Sequence, residues 1–527
     1  MKKKIVCLIA VLFYFPLNYY CQAQEKVKTF AKKYSFYDND KTYALQSLTT
    51  GKNKYYFLAG GGSDAKLVKV DSAGHLIWFK TYGGANTDCA YDLKQTNDGN
   101  LIMAGYSWSF ETENSDFYIV KVDPDGKLLW AKTYGGPEGD EANSVAATND
   151  GGCIVCGQTR NIGNIGNSGY DACILKISKN GKLEWQKIYG GAKYGNDYCR
   201  SIIQTRDGNY VFAGYTEKIA SDGNIYNFNG EILLVCLDKN GKEIWHKIFG
   251  GAGTDFADNL IELSDGYIIG GFTTSYSNST DIYLLRCNTL GELIWVKAYG
   301  TYLGKAAGKV ATTKDQGYIV LAYGSAHGEE FDDDIYLMKL NANGDTLWTK
   351  SYGNFYGDHG SGILEERNGF IIAGTTEEGF DGNSNMFLLK TDENGRTENC
   401  FVAPAINNMI ISSELTIITN TALKVDSGLA YRDVTDLTLI NSGGREDTIC
   451  KQSESSIFIL NFDFGKKHGT EAFELCDMFG KQILTTDDPK FTKGDLQVAV
   501  KGLNLTPGVY TWRCGKDSGK IFVPQKD

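Results

Sequence analysis

Beyond its first residues the chain has no apolar run approaching the roughly 20 residues needed to cross a bilayer as a helix. Positive charge is also in short supply. Lys and Arg number 53 against 64 Asp and Glu, a formal net charge of −11. A nucleic-acid backbone selects a basic patch, and so does an anionic lipid surface, so neither is an expected partner. Histidine is rare: His75, His246, His327, His359 and His468 fall in no metal-ligand spacing. No G-x-S-x-G surrounds a candidate nucleophile. The motifs therefore nominate no catalytic residue, metal or cofactor. Proline is scarce at 7 residues, whereas Gly (62), Tyr (32) and Phe (26) are plentiful. Gly-rich turns between short aromatic runs point to an all-β chain. At 527 residues it has room for one large domain and one small one.

Residues 1–23 read as a secretory signal peptide. Lys2, Lys3 and Lys4 precede an apolar stretch from Ile5 to Pro16, and Cys21-Gln22-Ala23 sets up a cut after Ala23. A second reading makes Cys21 the lipidated residue of a lipoprotein, although Asn18-Tyr19-Tyr20 lacks the small residues expected before it. Thirteen cysteines less Cys7 and Cys21 leave eleven, an odd number, which implies a free thiol or an intermolecular bond. Cys153 and Cys156 form a C-x-x-C on a strand pattern, where positions three apart point to opposite faces. That geometry argues against a redox or zinc pair.

The strongest signal is an internal repeat. Trp recurs at 78, 130, 185, 245, 295 and 348, each four residues after a turn Gly, with Lys at +2 and an aromatic at +4. Within each unit a small-residue stretch leads to a tight turn such as Asp98-Gly99, Asp150-Gly151 or Asp207-Gly208. Such pairs favour hairpins because Gly accepts positive φ. Two further apolar runs follow and a second turn leads into the Trp run. Four strands per unit of this length is the size of a propeller blade. The predicted fold is all-β: a seven-bladed β-propeller of four-stranded blades over residues 24–400. Phe30-Ala31-Lys32-Lys33-Tyr34 reads like Trp130-Ala131-Lys132-Thr133-Tyr134 but has no unit before it. The last unit has Cys400 where its Trp belongs. Residues 29–35 are therefore expected to supply the last blade's outer strand, hiding the edges of an open array.

A residue that recurs in every unit is scaffold, so the Trp residues are expected to be inter-blade wedges and not a ligand platform. The recurring acids Asp88, Asp140, Asp197, Asp255 and Asp358 are expected to cap turns. The acidic run Asp332-Asp333-Asp334 has two readings, a calcium site and a solvated loop. The D-x-x-G-x-x-x-W pattern at Asp123, Gly126 and Trp130 resembles the tryptophan-docking motif of pyrroloquinoline-quinone dehydrogenases, one residue short and without their Cys-Cys pair. The sialidase Asp-box spacing fails. Candidate ligand positions are those that vary while the scaffold repeats. In the first strand of each unit one column holds Tyr43, Tyr91, Asn143, Arg200, Asp258, Gly308 and Ser361, and the next Ala44, Asp92, Ser144, Ser201, Asn259, Lys309 and Gly362. Tyr91, Asn143, Arg200 and Asp258 are the nominated ligand-binding residues, with Arg200 and Asp258 as charged anchors for a small or glycan ligand. The alternative is a water-filled channel that tolerates polar residues.

Residues 401–454 read as a spacer with a minor repeat of about 14 residues, expected to form short stacked strands. Cys400 and Cys450 bracket it, either as a disulfide or as two separate thiols. Residues 455–527 read as a small antiparallel β-sandwich, with turns at Gly480 and at Pro507-Gly508. Asp477, Gly480, Lys481, Leu505, Gly508, Val509 and Tyr510 make this tail resemble the C-terminal sorting domains of type IX secretion cargo, without the usual Pro-Asn-Pro opening. The resemblance implies passage across the outer membrane, the type IX secretion machinery as a partner, and a secreted or cell-surface location. The leading functional expectation is an exported binding or adhesion module with a glycan or protein ligand. The alternatives are a carbohydrate-active enzyme, glycosidase or lyase, on a propeller scaffold, and a structural envelope component.

Overall fold

The computed structural model describes residues 28–397 apart from short stretches between strands, a series of short strands between 402 and 448, and four strands between 473 and 523. Residues 1–23, read above as a signal peptide, and Cys400 and Cys450 lie outside the described residues. The described chain is all-β. None of its elements is a helix long and apolar enough to cross a membrane.

The unit is a four-stranded antiparallel meander. Asp88–Gln95, Leu101–Ser107, Asp116–Val122 and Leu128–Gly135 pair in that order. The same order recurs in the sheets opening with Lys41–Thr50, Asp140–Ala147, Asp197–Gln204, Asp255–Leu263 and Lys309–Thr312. The hairpin glycines, Gly99 and Gly151 among them, have positive φ, as their turns require. The Asp of several such turns accepts a side chain from the third strand: Asp98 from Lys121, Asp150 from Lys176, Asp265 from Arg286 and Asp315 from Lys339. These contacts account for basic side chains buried in apolar strands.

The last sheet contains Asp358–Glu366, Gly369–Glu378 and Asn383–Thr391, and its fourth strand is Phe30–Ser35, in register from Phe30↔Lys390 to Tyr34↔Met386. The first strands of successive sheets lie side by side, and Lys41–Thr50 touches both Asp88–Gln95 and Asp358–Glu366. The result is a propeller-like arrangement with the first strands innermost. Apolar cores fill the spaces between neighbouring sheets. Cys153 and Cys156 fall into two different cores, as their spacing on a strand dictates.

The repeated Trp is a wedge, but a half-buried one. Trp78 presses on Gly126 of the next unit, Trp130 on Gly181 and Trp348 on Gly395, leaving no room there for a Cβ. Phe30 takes the same place against Gly74. The aromatic four residues on completes the latch: Tyr82 donates to Gly126 O (2.8 Å), Tyr134 to Gly181 O (2.7 Å) and Tyr352 to Gly395 O (2.6 Å).

The spacer corrects its expectation. Its short strands stack on the propeller and not on one another. Val402–Pro404 pairs with Thr346–Tyr352, Lys424–Asp426 with Leu183–Gly190, and Arg445–Thr448 with Phe30–Ser35. In the tail, Phe473–Asp477, Gln482–Thr486, Gly508–Cys514 and Asp517–Val523 form one four-stranded antiparallel sheet. A second layer is not among the described residues.

Candidate functional site

Six of the seven first strands carry one β-bulge among the described residues, and it falls at the same place. Pairing skips between Thr42 and Ala44, Ala90 and Asp92, Ala142 and Ser144, Cys199 and Ser201, Ala257 and Asn259, and Gly360 and Gly362. The extra residues are Tyr43, Tyr91, Asn143, Arg200, Asp258 and Ser361. They are the variable column nominated from sequence; Gly308 lies outside the described residues. A bulge re-aims one side chain without disturbing the ladder around it. All six are partly accessible.

The structure links the nominated residues in two groups. Tyr91 meets Tyr43 edge-on (4.9 Å between centroids) and lies 5.4 Å from Tyr106. Asn143 donates to Gln158 Oε1 (2.5 Å) and to Cys199 O (2.8 Å), and accepts a long contact from Arg200 (3.4 Å). The Arg200 guanidinium lies near the faces of Tyr198 and Tyr215. Its Nε and the Oδ2 of Asp258 are shielded and have no hydrogen-bond partner. Burial pushes the Asp258 carboxyl up, against the opposing charges of Arg200 and Lys309. Burial likewise pushes the Lys309 ammonium down, although Asp92 and Asp258 oppose it.

The neighbouring column has a different task. Asp92 Oδ2 accepts from Val145 N (2.9 Å), Ser201 Oγ from Leu260 N (3.1 Å) and Asn259 Oδ1 from Val310 N (2.8 Å), each in the next sheet. This column stitches first strand to first strand. At Gly362, where the last sheet meets the first, Leu45 occupies the space a Cβ would need. Burial works to raise the Asp92 carboxyl, but Lys94 and the Val145 amide hold it below its ordinary value.

A cleft of about 1130 Å³ opens between the first two sheets. Lys41, Tyr43, Asp64, Asn86, Tyr106 and Trp108 are among its lining residues, so it joins the Tyr91 group of the bulge column through Tyr43. Trp108 is 40% exposed. Its backbone is pinned by Trp108 N to Thr87 O (3.0 Å) and by the Asn86 side chain to Trp108 O (2.9 Å). The same backbone bond at the end of the second strand is made by Arg160, Glu217, Thr274 and Glu377 in other sheets, so this rim position is held by the fold while its side chain varies.

Sequence reasoning missed Trp108. A signal was there: of the eight Trp, six belong to the repeat and Trp512 to the tail, leaving Trp108 as the one the scaffold does not use. Cys89 at the cleft floor is no nucleophile at neutral pH, because burial pushes its thiol up to about 12. Asp64 borders the cleft and crowds Gly83 together with Asp88. The same carboxylate pair recurs at Gly135 as Asp116 and Asp140. Asp88, Asp140 and Asp255 accept the amides of Gly84, Gly136 and Gly251, so these acids cap turns as expected. Among the described residues no group of three or more His, Cys, Asp or Glu is placed to hold a metal. Part of the acidic run at Asp332 lies outside them.

No protein-family model matches the chain. Regulatory protein FlaEY of Caulobacter vibrioides is 25% identical over 179 residues, which is 30% of this chain and only 18% of that protein. Among solved structures, the periplasmic gluconolactonase PpgL of Pseudomonas aeruginosa overlaps 74% of this chain and 99% of its own, at 12% identity and a TM-score of 0.40. The Trypanosoma rangeli sialidase overlaps 60% of this chain and 56% of its own, at 9% identity and a TM-score of 0.32. Overlaps this loose add nothing to the chemistry read from the residues.

Proposed function

We infer that this chain is an exported binding module built on a closed seven-bladed propeller, and that it takes a neutral glycan in the cleft between the first two blades. The observation that carries the reading is Trp108: a large, exposed aromatic, held by fixed backbone bonds, at a position where the scaffold needs no aromatic. Aromatic faces accept the C–H faces of sugars, and convergent amide, hydroxyl and charged groups orient the hydroxyls. Tyr43, Tyr106, Asn86 and Asp64 offer such groups around the same space. Arg200 and Asp258 extend the polar surface along the inner ring, with one unpartnered donor and one unpartnered acceptor.

Hydrolysis would need a carboxylate pair peculiar to the cleft. The pair that borders it recurs at the next joint as Asp116 and Asp140, part of the turn scaffold, which favours binding over turnover. Export is supported by the Cys156–Cys199 disulfide, a bond kept in oxidising compartments. The tail strands carrying Asp477 and Gly508-Val509-Tyr510 pair as adjacent strands, in keeping with a sorting role through the type IX machinery.

The test is a glycan array probed with the full mature chain, with product analysis of every hit. Binding that is lost in Trp108→Ala and yields no product supports the reading. Product formation promotes the glycosidase or lyase alternative. A blank array leaves a protein ligand or a structural envelope role.

A further inference from the structure

Arg160 holds the rim position in the third sheet that Trp108 holds in the second. Its amide donates to Gly139 O as that of Trp108 donates to Thr87 O. The same fixed backbone therefore carries an exposed guanidinium where the second sheet carries an indole. The guanidinium carbon lies 4.1 Å from the ring centre of Tyr170. Tyr170 in turn lies 5.6 Å from Tyr198, and Tyr198 lies 4.6 Å from Tyr215. Arg200 stands at the other end of this row, 5.8 Å from the Tyr198 ring and 5.9 Å from that of Tyr215. Two guanidinium groups thus bracket a shelf of tyrosines across the joint between the sheets opening with Asp140–Ala147 and Asp197–Gln204.

Neither guanidinium is satisfied within the described residues. Other arginines find carboxylates: Arg206 pairs with Glu262 and Arg286 with Asp265. Arg160 donates no side-chain hydrogen bond to a described residue. Arg200 has only its long contact to Asn143, and its Nε is shielded with no partner. Glu141 is near enough to feel both. Burial pushes its carboxyl up, while Arg200, Gln158 and Arg160 pull it down. Yet Glu141 forms an ion pair with neither and accepts instead from Gln158 Nε2 at 2.9 Å. Stacking on a ring occupies the face of a guanidinium and leaves its N–H edges open, the arrangement that meets a carboxylate in a bidentate pair.

The joint is also held rigid. The Cys156–Cys199 bond ties the strand leading to Arg160 to the strand carrying Tyr198 and Arg200. Asn143 reaches across the same joint to Cys199 O while holding Gln158. Asn196 accepts from Tyr170 N (2.9 Å) and donates to Glu217 (2.7 Å), which pins the outer end of the shelf. Groups fixed in this way lose little further freedom when a ligand arrives.

We propose that this joint is a recognition site for a sugar acid, a hexuronate residue whose carboxylate is taken by the guanidinium groups while its ring lies on the tyrosine shelf. Tyr170 and Tyr198 are half-buried and offer faces to the C–H bonds of a sugar, and Glu141 and Glu217 offer acceptors to its hydroxyls. A formal net charge of −11 turns away dense polyanions, so separate carboxylates on a short sugar chain suit the site. An acidic peptide would use the guanidinium groups but lacks the flat C–H faces that match the tyrosines. The site lies apart from the cleft beside Trp108 and shares only Arg200 with the reading above.

The experiment titrates the full mature chain, disulfide intact, with galacturonate and glucuronate oligomers, with the methyl esters of both, and with a Glu-rich peptide. The acids are expected to bind, and their affinity to fall as salt rises. The esters, which keep the sugar and lose the charge, are expected to bind about 10-fold more weakly or worse. Arg160→Gln and Arg200→Gln are each expected to lower affinity for the acids by about 10- to 100-fold. Arg160→Lys is expected to recover little, because a point charge does not reproduce the planar fork. Arg160 is exposed, so its variants keep the fold, and the urea midpoint checks this. Failure of every acid to bind overturns the proposal, as do equal affinities for acid and ester or full affinity in both Gln variants. A peptide that outbinds the acids overturns it in favour of a peptide ligand. Acid binding lost in Trp108→Ala and kept in Arg160→Gln moves the acid into the cleft and overturns it too. A neutral-glycan hit with every acid blank refutes this site alone, and acid binding without a neutral hit refutes the cleft alone.

Discussion

The hydroxyl of Tyr34 donates to the carbonyl of Gly74 at 2.7 Å, across forty positions of sequence. It repeats, between the last sheet and the first, the bond that Tyr299 makes to Gly344 (2.6 Å) between two consecutive sheets. The closing joint is thus fastened by the same latch as the interior ones, with Phe30 standing in for the Trp.

Tyr34→Phe is expected to lower stability by about 1–3 kcal/mol, the cost of a buried hydrogen bond whose carbonyl loses its partner. Urea denaturation measures it. Phe249 occupies the equivalent place without a hydroxyl, so Phe249→Tyr is the informative companion: a gain there and a loss at Tyr34 identify the latch. No loss at Tyr34 would show that strand pairing alone holds the joint.

Trp108→Ala and Trp130→Ala should separate binding from folding. Trp108 is exposed and Trp130 wedges against Gly181. Trp108→Ala is expected to weaken a glycan hit by about 10- to 100-fold, about 1.4–2.8 kcal/mol, with an unchanged unfolding midpoint. Trp130→Ala is expected to cost about 2–4 kcal/mol of stability, somewhat below a fully buried Trp because this one is half-buried, while leaving affinity intact. Reversed outcomes would exchange the two roles.

Asp171 gives a pH signature. Burial raises its carboxyl to about 6. The folded chain then holds a proton that the unfolded chain has already released, so stability falls as pH climbs from about 4 to about 6 and the penalty is complete above that. Two pKa units are about 3 kcal/mol, and partial solvent access reduces this to about 1–2 kcal/mol. Asp171→Asn should therefore raise the urea midpoint at pH 8 and leave it unchanged at pH 4. An equal effect at both values would contradict the titration.

Cys156 and Cys199 join neighbouring sheets with Cα atoms 5.6 Å apart and 43 positions between them in sequence. Reducing a bond that closes such a loop is expected to cost about 4 kcal/mol. Cys156→Ser with Cys199→Ser, compared with the parent in and out of reductant, measures it. A reductant effect that survives in the double variant would place the sensitive bond elsewhere.

What the sequence by itself determined is whatever recurs locally. Strand order, hairpin turns at Asp-Gly pairs, the Trp wedge and the use of residues 29–35 as an outer strand could all be read, because each is a short-range pattern repeated at a fixed spacing. The variable column was legible for the same reason: alignment of the units exposed it, and the structure adds that a bulge aims it. Tertiary structure alone decided the rest. The meeting of Cys156 with Cys199 depends on two strands from different units packing face to face, and nothing local marks one buried Cys from another. Asp92 and Arg200 fell in adjacent columns of the aligned units, but only the structure shows that a one-residue bulge makes the first a stitch between sheets and the second a candidate ligand group. Trp108 lines a cleft because two neighbouring sheets bring their rims together there. The 14-residue period of the spacer was visible, but its meaning depends on the distance between outer edges. A sequence records its own periods; which surface each period matches is settled only when the ring has formed.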